Sequence, residues 1–157
     1  MGNSEELKKG NSKEKTDVKR ISNENKNDSE VKILAFLCNW CSYVGADTAG
    51  TIRLKQPENI RIIRVPCSGR VNPLFILKAF SLGADGVLVS GCHPNDCHYS
   101  EGNFYARRRL EVLKEFLPFI GIDKGRFTYQ WVSAAEAKKW QQLIINFVKR
   151  IREITNK

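Results

Sequence analysis

The stretch "VKILAFLCNWCSYVG", residues 31–45, begins as a nearly continuous apolar run and ends in two cysteines separated by two residues, Cys38 and Cys41. A strand covered on both faces has this look, whereas a half-exposed strand alternates apolar with polar. Three later runs repeat it: "IRIIRVPC" (60–67), ended by Pro66, "DGVLVSGC" (85–92) and "RFTYQWV" (126–132). Each is followed by a segment with helical character. That alternation predicts an α/β fold: a flavodoxin-like or half-Rossmann parallel sheet of about four strands, in the order 2-1-3-4, flanked by helices.

The helical segments differ in clarity. "GADTAGTIRLKQ" (45–56) is interrupted by two glycines, which weakens it. "NPLFILKAFSLG" (72–83) is apolar nearly all round with Gly83 as its stop, so it should be largely buried. "NFYARRRLEVLKEFLPFIG" (103–121) sets Ala106, Leu110, Leu113 and Leu117 on one stripe, with Pro118 to end it. In the last helix Ser133 and Glu136 form a capping-box pattern, and Trp140, Leu143, Ile144, Phe147, Val148 and Ile151 follow helical spacing. The aromatic residues of these stripes read as core.

The cysteines fall where the strands end. Cys38, Cys67 and Cys92 close the first three runs, while Cys41 and Cys97 lie in the loops after the first and third. In a parallel sheet with right-handed crossovers these ends point the same way. Open α/β sheets place their sites outside those carboxyl ends, where the strand order switches. Five thiols should therefore meet on one edge.

Three chemistries compete for them. A strand running into C-x-x-C and a helix is the arrangement of a thioredoxin-like thiol oxidoreductase, but that reading leaves Cys67, Cys92 and Cys97 idle. A zinc-stabilised binding module would use four thiolates, usually as two C-x-x-C knuckles on a small, poorly packed unit. An iron-sulfur site needs four thiolates with backbone amides aimed at sulfur, which helix N-termini after Cys41 and Cys67 would supply. In "CSGR" (67–70), Gly69 permits close approach of the backbone and Arg70 adds positive charge. In "GCHPNDCHY" (91–99), His93 and His98 each follow a cysteine. Rieske centres use two histidines on one iron, yet five thiols already exceed four positions. The histidines then read as hydrogen-bond donors around the cluster or as interface residues, with Asp96 placed to orient one. No phosphate-cradling glycine loop is present.

The chain of 157 residues carries a net charge of +9. Residues 1–30 hold seven Lys/Arg against seven Asp/Glu, so the whole excess lies in residues 31–157. The first segment has two large apolar residues and no periodicity, the composition of a disordered polar tail; residues 31–157 form the single α/β domain. Neither a signal peptide nor a membrane span is expected, which makes the chain cytoplasmic, where five cysteines read as metal ligands or redox groups. No nucleic-acid motif accompanies the basic charge, and docking on acidic protein surfaces suits it. Trp40, Tyr43, Tyr99 and Phe104 are loop aromatics that could make such a contact or shield a cluster.

Together "CNWC", "CSGRVNP", "GADGVLVSGCHPNDCHYSEGN", "ARRR" and "WVSAAE" resemble, in order, the iron-sulfur delta (D) subunit family of methyl-viologen-reducing hydrogenases, associated with heterodisulfide reductase. The resemblance spans roughly residues 31–155. It implies a non-catalytic electron-transfer subunit carrying a [2Fe-2S] cluster on four of Cys38, Cys41, Cys67, Cys92 and Cys97. Electrons would pass from hydrogenase or formate dehydrogenase subunits to the flavin-containing heterodisulfide reductase subunit. Arg64, Arg70 and Arg107 to Arg109 are candidates to balance the cluster charge. One departure is Asn95, where the family pattern has glycine; Asn tolerates positive φ, so the loop shape should survive.

Overall fold

In the computed structural model, which describes residues 31–156, the alternation is realised as β1 (Ile33–Cys38), α1 (Ser42–Thr51), β2 (Ile60–Val65), α2 (Pro73–Ser81), β3 (Gly86–Gly91), α3 (Gly102–Phe116), β4 (Phe127–Trp131) and α4 (Ala137–Thr155). Short 3-10 turns occupy Ser68–Arg70, Leu117–Ile120 and Lys124–Arg126. The strands are all parallel and ordered β2-β1-β3-β4, as the alternation of runs and helices predicts. The reading of residues 1–30 as a disordered tail lies outside the described residues. Among the described residues no helix is long and apolar enough to cross a membrane.

Strand alternation sorts the core into two layers. Ile33, Ala35 and Leu37 of β1, with Leu88 of β3, pack on Ala46 and Ala49 of α1 and on the Trp140, Ile144, Phe147, Val148 and Ile151 stripe of α4. Phe36, Val87 and Val89 face the other way, against Ile76 and Ala79 of α2 and the Ala106, Leu110 and Leu113 stripe of α3. Trp140 is fully buried and its Nε1–H donates to Gln56 Oε1 at 2.7 Å, so the indole fills the core without an orphaned donor. Leu143 is only half-buried.

Several elements depart from expectation. α1 spans Ser42–Thr51 rather than 45–56: it starts at the second cysteine, and Arg53 behind it takes a left-handed φ of 58°, which breaks the helix. Gly45 is tolerated inside it because a Cβ there would lie 2.7 Å from the Ser133 carbonyl oxygen. α2 is not largely buried. Only Ile76 and Ala79 are, packed with Phe36, Val87 and Val89 of the two central strands, while Leu74, Phe75 and the following Leu82 are more than half exposed. β2 is an edge strand, with Ile62 and Ile63 exposed and Arg61 and Arg64 as the charges that guard it. The helix expected over 103–121 ends at Phe116 and passes into the 3-10 turn that holds Pro118. The expected capping box is half made: α4 begins at Ala137 with no side-chain cap, and the Glu136 carboxylate reaches back to the Ser133 N–H at 2.7 Å.

Candidate metal centre

β1 and β3 are neighbours, and the chain leaves β1 towards β2 on one side while β3 continues to β4 on the other. The crevice at their carboxyl ends is the switch point. Cys38 is the last residue of β1, and Cys92 follows β3 directly. Their Sγ atoms lie 3.9 Å apart. Cys41, at the N-terminus of α1, completes a trio whose sulfurs all lie within 4.8 Å of one another. Cys67 stands at the start of the Ser68–Arg70 turn, and its Sγ lies 3.9 Å from that of Cys97. Cys38 Sγ approaches the Pro66 carbonyl oxygen at 3.9 Å, which puts the trio beside the residue preceding Cys67. Cys38, Cys41, Cys67 and Cys92 are buried and Cys97 is partly so.

Two thiolates on one tetrahedral metal stand about 3.8 Å apart when metal–sulfur bonds are about 2.3 Å. The Cys38–Cys92 and Cys67–Cys97 pairs, at 3.9 Å each, both match that edge. Backbone amides are already turned to sulfur: those of Trp40 and Ser68 towards Cys38, and Gly69 N–H to Cys67 Sγ at 3.4 Å. The Cys38 thiol falls to about 2, chiefly because Cys41 and then Cys92 donate to its thiolate. Cys41 is pushed up to about 11, first by its bond with Cys38, and Cys92 is raised, again mainly by Cys38 and Cys41. The trio thus gives up one proton readily and resists giving up the next, as crowded like charges must. A cation would remove that resistance. Burial raises the Cys67 thiol.

Two glycines let the Cys67–Cys97 side close. A Cβ on Gly69 would lie 2.5 Å from the Gly102 carbonyl oxygen, and one on Gly102 would lie 2.3 Å from Cys67 Sγ and 3.2 Å from Cys97 Sγ. Gly69 therefore serves close approach, as its position after Cys67 suggests. Gly102, inside the quoted "SEGN" stretch, had no signal of its own. Asn103 is buried and its Nδ2 donates to the Cys92 and His93 carbonyls at 3.2 and 2.6 Å, pinning the loop between the last two cysteines. Asn95 in that loop has φ of 71°, the conformation expected of the residue that stands for glycine.

The histidine rings are engaged elsewhere. His93 Nε2 meets Glu136 Oε2 at 2.6 Å, and Lys139 Nζ at 3.3 Å; the carboxylate that holds it is Glu136 and not Asp96, because α4 starts beside this loop. His98 stacks on Trp40 at 3.9 Å between centroids and meets the Tyr99 ring edge-on at 5.1 Å. Trp40 Nε1–H donates to Tyr99 Oη at 3.3 Å, so this clasp ties the first cysteine loop to the last. Beside it a groove of about 680 Å³, lined by Pro66, Cys67, Arg70, Tyr99, Tyr105 and Arg109 among others, opens to the Cys67 side. Arg109 donates to the Gly69 carbonyl at 3.2 Å. Arg107 pairs instead with Glu111, Arg108 lies over Tyr105, and Arg64 lies over Tyr43.

Fold and site together define a parallel α/β domain whose carboxyl edge gathers cysteine thiols, three of them close enough together to hold a metal ion. The chain belongs to the family described as methyl-viologen-reducing hydrogenase, delta subunit, whose model matches residues 33–155. It is 52% identical over 123 residues to an iron-sulfur subunit of the F420-non-reducing hydrogenase of Methanococcus voltae, covering 78% of this chain and 85% of that protein. With the corresponding hydrogenase subunit of Archaeoglobus profundus the identity is 45% over 125 residues, 80% of this chain and 91% of that one. The chain is also 52% identical over 122 residues to one of the subunits that make up a ferredoxin/F420H2-dependent CoB-CoM heterodisulfide reductase in Methanosarcina acetivorans; this takes in 78% of the chain but 15% of that much longer protein.

Proposed function

We propose that the chain is a cytoplasmic, non-catalytic electron-transfer subunit that carries a [2Fe-2S] cluster. It relays electrons from a hydrogenase or formate dehydrogenase module to the flavin-bearing subunit of a heterodisulfide reductase-type complex. What carries the reading is the presence of two thiol pairs, each 3.9 Å apart, at one sheet edge. A single zinc ion needs four sulfurs around one point, whereas only three described thiols, Cys38, Cys41 and Cys92, share a 4.8 Å span. Two pairs suit two metals. Cys38 and Cys92 would hold one iron, Cys67 and Cys97 the other, with Cys41 set aside. The cluster supplies one-electron chemistry. The chain's own residues bury three of the four proposed ligands, Cys38, Cys67 and Cys92, and aim the Trp40 and Ser68 amides at Cys38 and the Gly69 amide at Cys67.

The names of the relatives support the partners, since one is a hydrogenase subunit and another a heterodisulfide reductase subunit within which this domain is a small part. The rim supports docking as well. Trp40, Tyr99 and Tyr105 are about half exposed beside Arg70 and Arg109, and these residue types dominate interface energetics. Anaerobic purification should yield a coloured protein with iron and acid-labile sulfide in equal amounts and an electron paramagnetic resonance signal after one-electron reduction. A colourless protein holding zinc alone would overturn the proposal.

A further inference from the structure

Ser68 presents a hydroxyl with no explained role. It is 1% exposed, and its Oγ is buried with no hydrogen-bond partner among the described residues. Leaving such a group unpaired costs about 1–3 kcal/mol, so a buried orphan calls for a partner that arrives later. Its surroundings indicate which. Ser68 follows Cys67 and begins the turn whose first residues aim amides at sulfur: its own N–H points to Cys38, and that of Gly69 to Cys67. Its side chain lies over Gly91, the residue before Cys92, where an added Cβ would stand 2.4 Å from Ser68 Oγ and 2.8 Å from Ser68 Cβ. The absence of a side chain at Gly91 is what leaves the hydroxyl its place. Ser68 thus adjoins a member of each thiol pair, following Cys67 in the chain, lying against the residue before Cys92 and directing its amide at Cys38.

We propose that the Ser68 hydroxyl donates a hydrogen bond to a sulfur of the metal centre and raises its reduction potential. The proposal rests on the iron-sulfur reading above. Reduction adds one electron to the centre and breaks no bond; the proton stays on Ser68 Oγ. Because the added charge makes sulfur a better acceptor, the bond strengthens in the reduced state, and hydrogen bonds to sulfur are among the determinants of such potentials. The buried setting strengthens it further, since no water competes.

The test is a redox titration of the full-length, cluster-loaded chain followed by electron paramagnetic resonance, comparing wild type with Ser68→Ala and Ser68→Thr. Iron and sulfide content are measured first, and wild type without a cluster would refute the underlying reading rather than this one. Ser68→Ala should keep its iron and shift the reduction equilibrium about tenfold toward the oxidised form, about 59 mV lower for one electron. Ser68→Thr, which keeps the hydroxyl, should restore most of it. In resonance Raman spectra the deuterium-sensitive shift of an iron–sulfur stretch should vanish in Ser68→Ala and persist in Ser68→Thr. If Ser68→Ala retains both the wild-type potential and the deuterium shift, the hydroxyl is only a packing group and the proposal fails. Should Ser68→Ala load no cluster, Gly91→Ala, which displaces the hydroxyl without removing it, must lower the potential for the proposal to stand.

Discussion

The trio of Cys38, Cys41 and Cys92 and the pair of Cys67 and Cys97 are held by different means. The trio rests on the sheet: two of its members sit at the ends of neighbouring central strands, where strand pairing sets their separation. The pair rests on loops, on a 3-10 turn after the edge strand β2 and on the bridge between Cys97 and Ser100. Its sulfurs meet because Gly69 and Gly102 lack side chains. Rigid placement on one side and permissive backbone on the other is a division suited to a centre that must be both fixed in the fold and close to a surface. It also makes the two sides separately breakable.

The largest effect expected is complete loss of the centre. Cys38→Ser, Cys92→Ser, Cys67→Ser and Cys97→Ser should each abolish iron and sulfide binding, whereas Cys41→Ser should retain about two irons per chain. Metal and sulfide analysis decides it; loss in Cys41→Ser with retention in Cys97→Ser would move the centre onto the trio and break the comparison. Next in size is Gly102→Ala. Its Cβ would collide with Cys67 Sγ at 2.3 Å, and overpacking of this kind costs about 1–3 kcal/mol. Cluster content should fall several-fold. Gly83→Ala is the control: with φ of 89° and open space around its Cβ position, it should cost about 1–2 kcal/mol of fold stability and leave the cluster content unchanged.

The same division explains what could be read in the chain beforehand. Strand order follows from the four apolar runs and the convergence of thiols from the three of them that end at a cysteine, because run length, β-branching and crossover handedness are local or general rules. Burial of α2 did not follow. "NPLFILKAFSLG" is apolar nearly all round, but how much of a helix is covered is fixed by tertiary packing, and here the Ile76 and Ala79 side meets the core while Leu74, Phe75 and Leu82 are left in solvent. The partner of His93 was equally hidden: Asp96 is three residues away, whereas Glu136 is brought in by β4 and the start of α4 from 43 positions along. Ser68 and Gly102 had no pattern to mark them, since their importance lies in what they approach.

Asn103→Ala comes third. It removes the donor shared by the Cys92 and His93 carbonyls, which leaves two acceptors short of a partner on the trio's side of the crevice. A loss of about 1–3 kcal/mol is expected, read as a lower thermal midpoint of the cluster-loaded protein. Because the strands still hold Cys38 and Cys92, cluster content should fall less than in Gly102→Ala. A larger fall would show that the loop, and not the sheet, places Cys92.

The smallest effect concerns Glu136, which ties the loop after Cys92 to α4. Its carboxyl is held down to about 2, from an ordinary value of 4.5, first by the Ser133 N–H and then by His93. A depressed carboxylate stabilises the fold fully above its unfolded value, and that contribution is lost as the pH falls through the folded value. Glu136→Gln keeps an acceptor for Ser133 but no charge, so at neutral pH, with solvent screening part of the charge, it should be less stable by about 1 kcal/mol. Between pH 4.5 and about 2 the wild type should lose this advantage and the two curves should converge. Parallel curves across that window would mean that the carboxylate acts by shape alone and that the charge on this side of the centre is idle.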